Sequence, residues 1–124
     1  MNKLFFICNR CGNIVAMIRD KGIPIKCCGE NMQEIIPGAT DASEEKHIPV
    51  CKKEGGTVTV SVGSVEHPMT PEHYIEWICI ESDGGFQYKR LMPNMPPKAK
   101  FLLADDENVK AVYAFCNLHS LWKN

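Results

Sequence analysis

Apolar and polar residues alternate without a break in TVTVSV, Thr57–Val62, so that Val58, Val60 and Val62 fall on one face of a predicted strand. Four more segments carry weaker forms of the same signature. YIEWICI, Tyr74–Ile80, is dense in β-branched and aromatic residues, and Phe86–Met92 follows the Asp83–Gly85 turn to complete a hairpin. Phe101–Leu103 and Val109–Cys116 are split by the turn-forming Asp105–Asn108, and the second places Val109, Ala111, Tyr113 and Phe115 on a common face. Strands at this spacing predict a small antiparallel sandwich over residues 38–124, with no long helix.

Residues 1–37 follow a different pattern. Their apolar segments, Leu4–Ile7, Ile14–Ile18 and Ile23–Ile25, are brief and predict short strands between two cysteine clusters. Below about 40 residues a hydrophobic core alone rarely suffices, so this piece calls for disulfides, a metal or a partner. PGATDASEEK, residues 37–46, is polar, opens on Pro-Gly and reads as a linker. The expectation is a mainly β chain of two domains, 1–37 and 38–124.

Composition narrows the function classes. The 124 residues carry a formal net charge of −1 with both signs interspersed, and no basic stripe marks a nucleic-acid surface. No apolar run of about 18 residues exists to span a membrane. The opening MNKLFFICNRCGN has an apolar run of only Leu4–Ile7, short of the roughly 7–15 residues of an export signal. A cytoplasmic location is therefore expected. In a reducing compartment the seven cysteines point to metal binding or redox chemistry rather than disulfides.

Cys8-Asn-Arg-Cys11-Gly12 is a C-x-x-C-G knuckle, whose spacing turns both thiolates toward one ion and whose glycine permits the turn that brings amides to the sulfurs. The second pair, Cys27-Cys28, has nothing between its members. Adjacent side chains of an extended strand point to opposite faces, so both reach one ion only through a local distortion of the backbone. Four thiolates accept zinc and iron alike.

All four histidines fall in the second region: His47, His67, His73 and His119. Each sits at a predicted strand end or in a loop. His67 and His73 bound VEHPMTPEH, stiffened by Pro68 and Pro71, and His119 follows Cys116 as C-x-x-H. Imidazole and thiolate suit transition metals. A two-histidine, one-cysteine copper site needs fewer histidines, and its axial methionine has no candidate near Cys116. A structural zinc site closes at four ligands. Five donors point to a larger shell with one open position.

C-x-x-C followed by K-C-C-G resembles the desulforedoxin-type iron centre over Cys8 to about Pro37. E-K-H-I-P-V, H-P-M-T-P-E-H and C-N-L-H, in that order, resemble the catalytic domain of superoxide reductases. From Cys8 to His119 the chain thus resembles the two-iron desulfoferrodoxin family.

The resemblance implies a rubredoxin-like first domain and an immunoglobulin-like β-sandwich. It implies one iron on Cys8, Cys11, Cys27 and Cys28 for one-electron transfer. A second iron would have His47, His67, His73 and His119 as equatorial ligands and Cys116 as the axial one. The implied reaction is one-electron reduction of superoxide to hydrogen peroxide, with electrons from a rubredoxin-type donor, in a homodimer. Lys46 would steer the anion, since an ammonium beside the open position raises its local concentration. Glu45 would fill the sixth position once the iron is ferric. Cys51 and Cys79 are expected to be packing residues. A plain electron carrier, and a zinc ribbon joined to a β-sandwich without chemistry, are the competing readings.

Overall fold

The computed structural model describes residues 3–124; Met1 and Asn2, which open the stretch weighed above as an export signal, lie outside them. The chain divides into two compact units, Met1–Ile36 and Pro37–Asn124.

In the first unit β1 (Phe5–Ile7) lies between β2 (Ile14–Ala16) and β5 (Gln33–Glu34), antiparallel to both. A two-residue hairpin joins β3 (Lys26–Cys27) to β4 (Glu30–Asn31). Its turn residues, Cys28 and Gly29, have φ of +53° and +76°. Two left-handed residues in a two-residue loop make a primed turn, whose twist matches the flanking strands. The distortion expected at the vicinal cysteines is this turn, with the second cysteine in a conformation usually left to Asn or Gly. Ile23–Ile25 forms no strand. Pro24 has no N–H to give a ladder, and Ile23 lies 75% exposed.

The second unit has one helical turn near its start, α1 (Glu44–His47), which takes up the end of the stretch read as a linker and adds His47. That stretch is tied down: Gly38 N donates to the Leu121 carbonyl at 2.8 Å and Ile48 N to the Glu44 carbonyl at 2.9 Å. Then come β6 (Pro49–Glu54), β7 (Thr57–Val62), β8 (Ile75–Ser82), β9 (Gly85–Arg90), β10 (Lys98–Leu102), β11 (Val109–Cys116) and β12 (Ser120–Lys123). They form two antiparallel sheets, ordered β10-β7-β6 and β12-β11-β8-β9. The sheets share one core: Val58, Val60, Val62 and Phe101 from the first, and Ile75, Ile78, Ile80, Val112, Ala114 and Cys116 from the second. This is the β-sandwich read from the strand pattern.

The face predicted for β11 is cut by a register shift. Val109 pairs with Ser82 but Ala111 with Glu81, so β11 gains a residue there. A one-residue slip moves every later side chain to the other face. Val109 packs against the core, whereas Ala111, Tyr113 and Phe115 point away from it and Val112, Ala114 and Cys116 take their place. A second shift falls between Phe115 and Cys116. Bulges re-aim side chains, and this one lies where the thiol at the end of β11 is set.

Candidate metal centres

In the first unit the sulfurs of Cys8, Cys11, Cys27 and Cys28 all lie within 4.8 Å of one another. Cys11 Sγ and Cys27 Sγ are 3.6 Å apart, close to the ~3.8 Å edge of a tetrahedron with metal–sulfur distances of about 2.3 Å. The knuckle is built by Gly12, at φ +84°, whose amide donates to the Cys8 carbonyl. The Cys11 amide reaches Cys8 Sγ at 3.5 Å and the Asn13 amide reaches Cys11 Sγ at 3.4 Å. Amide donors to Cys8, first Cys11 and then Arg10, lower its thiol to about 6. Cys28 moves the other way, to about 12, because its proton is shared with the neighbouring sulfurs, Cys11 first. Cys8 is ready to ionise, whereas Cys27 and Cys28, raised first by the hydrogen bond to Cys11, need a cation to drive their protons off.

The second cluster lies at the loop end of the sandwich. His47 ends α1, and its Nδ1–H donates to the Ser43 carbonyl at 2.6 Å. His67 follows β7; its amide donates to Val62 and its Nδ1–H to the Pro68 carbonyl at 2.7 Å. Thr70-Pro71-Glu72-His73 closes as a β-turn, His73 N to Thr70 O at 3.1 Å, with Pro71 at the position whose φ proline pre-sets. The two prolines therefore help hold the loop that presents both rings. Cys116 ends β11, fully buried, and His119 sits in the tight turn before β12.

Donor atoms of His47, His67, His73 and Cys116 lie within 4.8 Å of one another. His119 joins them, its Nδ1 lying 3.1 Å from His47 Nε2 and 3.8 Å from Cys116 Sγ. The four rings make a square. Centroids around the perimeter, His47–His67–His73–His119, are 4.6, 4.7, 5.1 and 4.9 Å apart, each pair 76–87° to the next, and the His47–His73 diagonal is 6.4 Å.

This arrangement fits an ion. Because His47 and His67 each donate Nδ1–H to a carbonyl, their Nε2 atoms, 3.2 Å apart, are both lone-pair acceptors. His73 Nε2 is buried without any hydrogen-bond partner. An ion about 2.1 Å from two imidazole nitrogens at right angles would set them ~3 Å apart, as found. Burial favours the neutral form of three rings: it lowers His67 to about 4, and lowers His47 and His73 as well. Burial pushes the Cys116 thiol up, opposed by the amides of Leu118 and His119.

Lys46 and Glu45 are exposed on α1. After burial, charge lowers the basicity of His73 and His47, and the Lys46 ammonium contributes at both. The Glu45 carboxylate is not among the converging donors. Its backbone is held, since the Glu45 carbonyl accepts from Val65 N at 2.9 Å and Ser64 Oγ at 3.2 Å. Cys79 is buried at 3% exposure and its thiol is pushed to about 12 by that burial; Cys51 is half-buried against the core. Sequence reading missed Trp122, whose ring lies 4.9 Å from that of His47 and whose Nε1–H donates to the His119 carbonyl at 3.0 Å. Its place three residues past a C-x-x-H was the available sign.

A profile described as Desulfoferrodoxin matches residues 39–124. The desulfoferrodoxin of Clostridium acetobutylicum is 45% identical over 95% of this chain and 92% of that protein. That of Nitratidesulfovibrio vulgaris is 43% identical, over 94% and 90%. The crystal structure of the superoxide reductase from Treponema pallidum superposes with a TM-score of 0.84, at 40% identity, over 100% of this chain and 99% of that one. The one-iron superoxide reductase of Giardia intestinalis covers 64% of this chain and 95% of its own, at 34% identity and a TM-score of 0.55. The two donor sets, four sulfurs in one unit and four imidazoles with a thiolate in the other, suit two iron ions. With matches that run nearly end to end and a site in each unit, the chain belongs to the desulfoferrodoxin family.

Proposed function

We propose that the chain is a superoxide reductase, with residues 1–37 as a desulforedoxin-like domain and 38–124 as the catalytic domain. The observation that carries the reading is the square of four imidazoles with a single cysteine thiol beside it. In this reading His47, His67, His73, His119 and Cys116 would hold the second iron, and Cys8, Cys11, Cys27 and Cys28 would hold the first. When bound, the ferrous ion supplies the electron that, with two protons, turns superoxide into hydrogen peroxide, and an external donor returns it.

The chain's own residues do the rest. Four neutral rings and one thiolate leave a divalent ion with one net positive charge, which draws an anion rather than a neutral molecule. Amides of Leu118 and His119 hold charge on the Cys116 sulfur. Lys46, exposed beside the rings, concentrates superoxide and orders the water that delivers protons. Glu45, on the same turn, would supply its carboxylate to the iron's open position once the metal is ferric. Replacing Glu45 by alanine changes the resting ferric spectrum; an unchanged spectrum removes Glu45 from that role.

Five donors and a poised lysine favour catalysis over a plain electron carrier. The donor expected from the family resemblance is a rubredoxin. Ile18 and Ile23, 90% and 75% exposed, support pairing of the first unit with a second copy. The seven free cysteines suit a reducing, cytoplasmic location. Among the described residues no helix is long and apolar enough to cross a membrane. The test mixes the reduced protein with superoxide and counts products. One peroxide per superoxide without oxygen release is expected. Oxygen release would mean dismutation, and no reaction would leave an electron carrier.

A further inference from the structure

Two of the four rings are aimed by hydrogen bonds of their own, His47 to the Ser43 carbonyl and His67 to the Pro68 carbonyl. His73 is not. Among the described residues no group hydrogen-bonds its ring, and its buried Nε2 is unpartnered. Such a ring takes its direction from the backbone that carries it. That backbone is gripped on both sides by one residue. Asn117 Nδ2 donates to the Glu72 carbonyl at 2.9 Å, and Asn117 Oδ1 accepts from the Tyr74 amide at 2.9 Å. The Asn117 amide adds a third bond, to the Tyr74 carbonyl at 3.1 Å.

The side-chain orientation follows from its partners, because a backbone N–H can only donate and a carbonyl can only accept. Asn117 also follows Cys116 directly in the chain. One side chain therefore joins the strand end that bears the thiolate to the loop that bears His73, bracketing His73 at the residues before and after it.

We propose that Asn117 is a positioning residue, which sets the direction of the His73 ring relative to the Cys116 sulfur without touching an ion. The inference rests on the ligand set proposed above. Outer partners of metal ligands typically change metal affinity by about 10- to 100-fold when removed. A residue that only staples two loops would change thermal stability and leave the electronic structure of a bound ion alone.

The experiment titrates cobalt(II) into the metal-free, full-length chain and into Asn117→Ala and Asn117→Asp. Cobalt at the four cysteines gives a tetrahedral thiolate spectrum that serves as the internal reference for cobalt loading, and thermal unfolding of the second unit reports its folding. In Asn117→Ala, cobalt binding at the histidine–cysteine set is expected to weaken by about 10- to 100-fold, with altered band positions. The four-cysteine spectrum should not move. Asn117→Asp is nearly isosteric and keeps the acceptor for the Tyr74 amide but sets a carboxylate against the Glu72 carbonyl, so it should fall between the two. Parent affinity and parent bands in Asn117→Ala, with only a lower unfolding temperature, overturn the proposal. If the alanine variant fails to fold, parent-like cobalt binding in Asn117→Asp overturns it equally. A parent chain that binds cobalt at both sites but, loaded with iron, leaves superoxide untouched removes the proposed function and not the role of Asn117.

Discussion

Lys46 and His67 show how differently single residues are tuned at this site. Lys46 is exposed, and its charge reaches His47 and His73 without contact through the core. Its effect on an incoming anion should be one of long-range attraction, which salt screens. Lys46→Ala is expected to slow the second-order reaction with superoxide by about 10-fold and flatten its dependence on ionic strength, with both irons retained. A stopped-flow series across salt concentrations measures both. His67 is 2% exposed, and burial holds it near 4 against an ordinary value of 6.5. Between those values the unfolded chain takes up a proton that the folded chain refuses. Stability present above pH 6.5 is therefore lost as pH falls toward 4. Thermal unfolding of the metal-free protein should follow that fall, and His67→Gln should make it shallower. At this scale the donors were legible in the sequence, because only a few side-chain types bind iron and their spacings are local. Asn117 is not legible there, because its partner lies across the fold: it meets Tyr74 across 43 positions. Trp122 gives a local sign in its place after His119, but its packing on His47 is set by the fold.

Among the elements, the β3–β4 hairpin decides whether two adjacent cysteines can serve one ion. Its turn places Cys28 and Gly29 in the left-handed region. A methyl group on Gly29 meets no neighbour, so Gly29→Ala reports backbone strain alone. It should cost about 1 kcal/mol and speed chelator-driven loss of the four-cysteine colour, leaving the histidine site's spectrum as it was. β7 was readable to the residue because one of its faces is buried and the other half-exposed, the condition under which alternation is visible. Both faces of β11 are buried from Ala111 onward, so alternation carries no information there, and the register shift near Val109 swapped the predicted face. α1 was read as linker because four polar-rich residues have no helical period to detect. It forms where it is held by the Ser64–Val65 loop and ends on a buried histidine.

On the scale of the molecule, the two units differ in what keeps them folded. The second has a shared core of buried aliphatic side chains between two sheets. The first has only Leu4, Phe5, Cys8, Met32 and Ile35 as buried apolar residues among those described. That is too little to order about three dozen residues without a cross-link. Removing both metals is expected to abolish amide protection in β1 and β2 while β7, β8 and β11 stay protected, read by hydrogen exchange. Protection that survives in β1 would mean that the metal is not what folds the first unit. What the sequence by itself determined is the inventory: which side chains can bind iron, two regions of different habit, and a β-rich second region. Those follow from residue chemistry and short-range periodicity. Only the tertiary structure decided that four rings from two loops and a helical turn close into a square, and that the vicinal cysteines meet one centre through a primed turn. It also decided that β11 turns its other face to the core. Each depends on contacts between residues tens of positions apart, where loop closure and burial, not local preference, set the geometry.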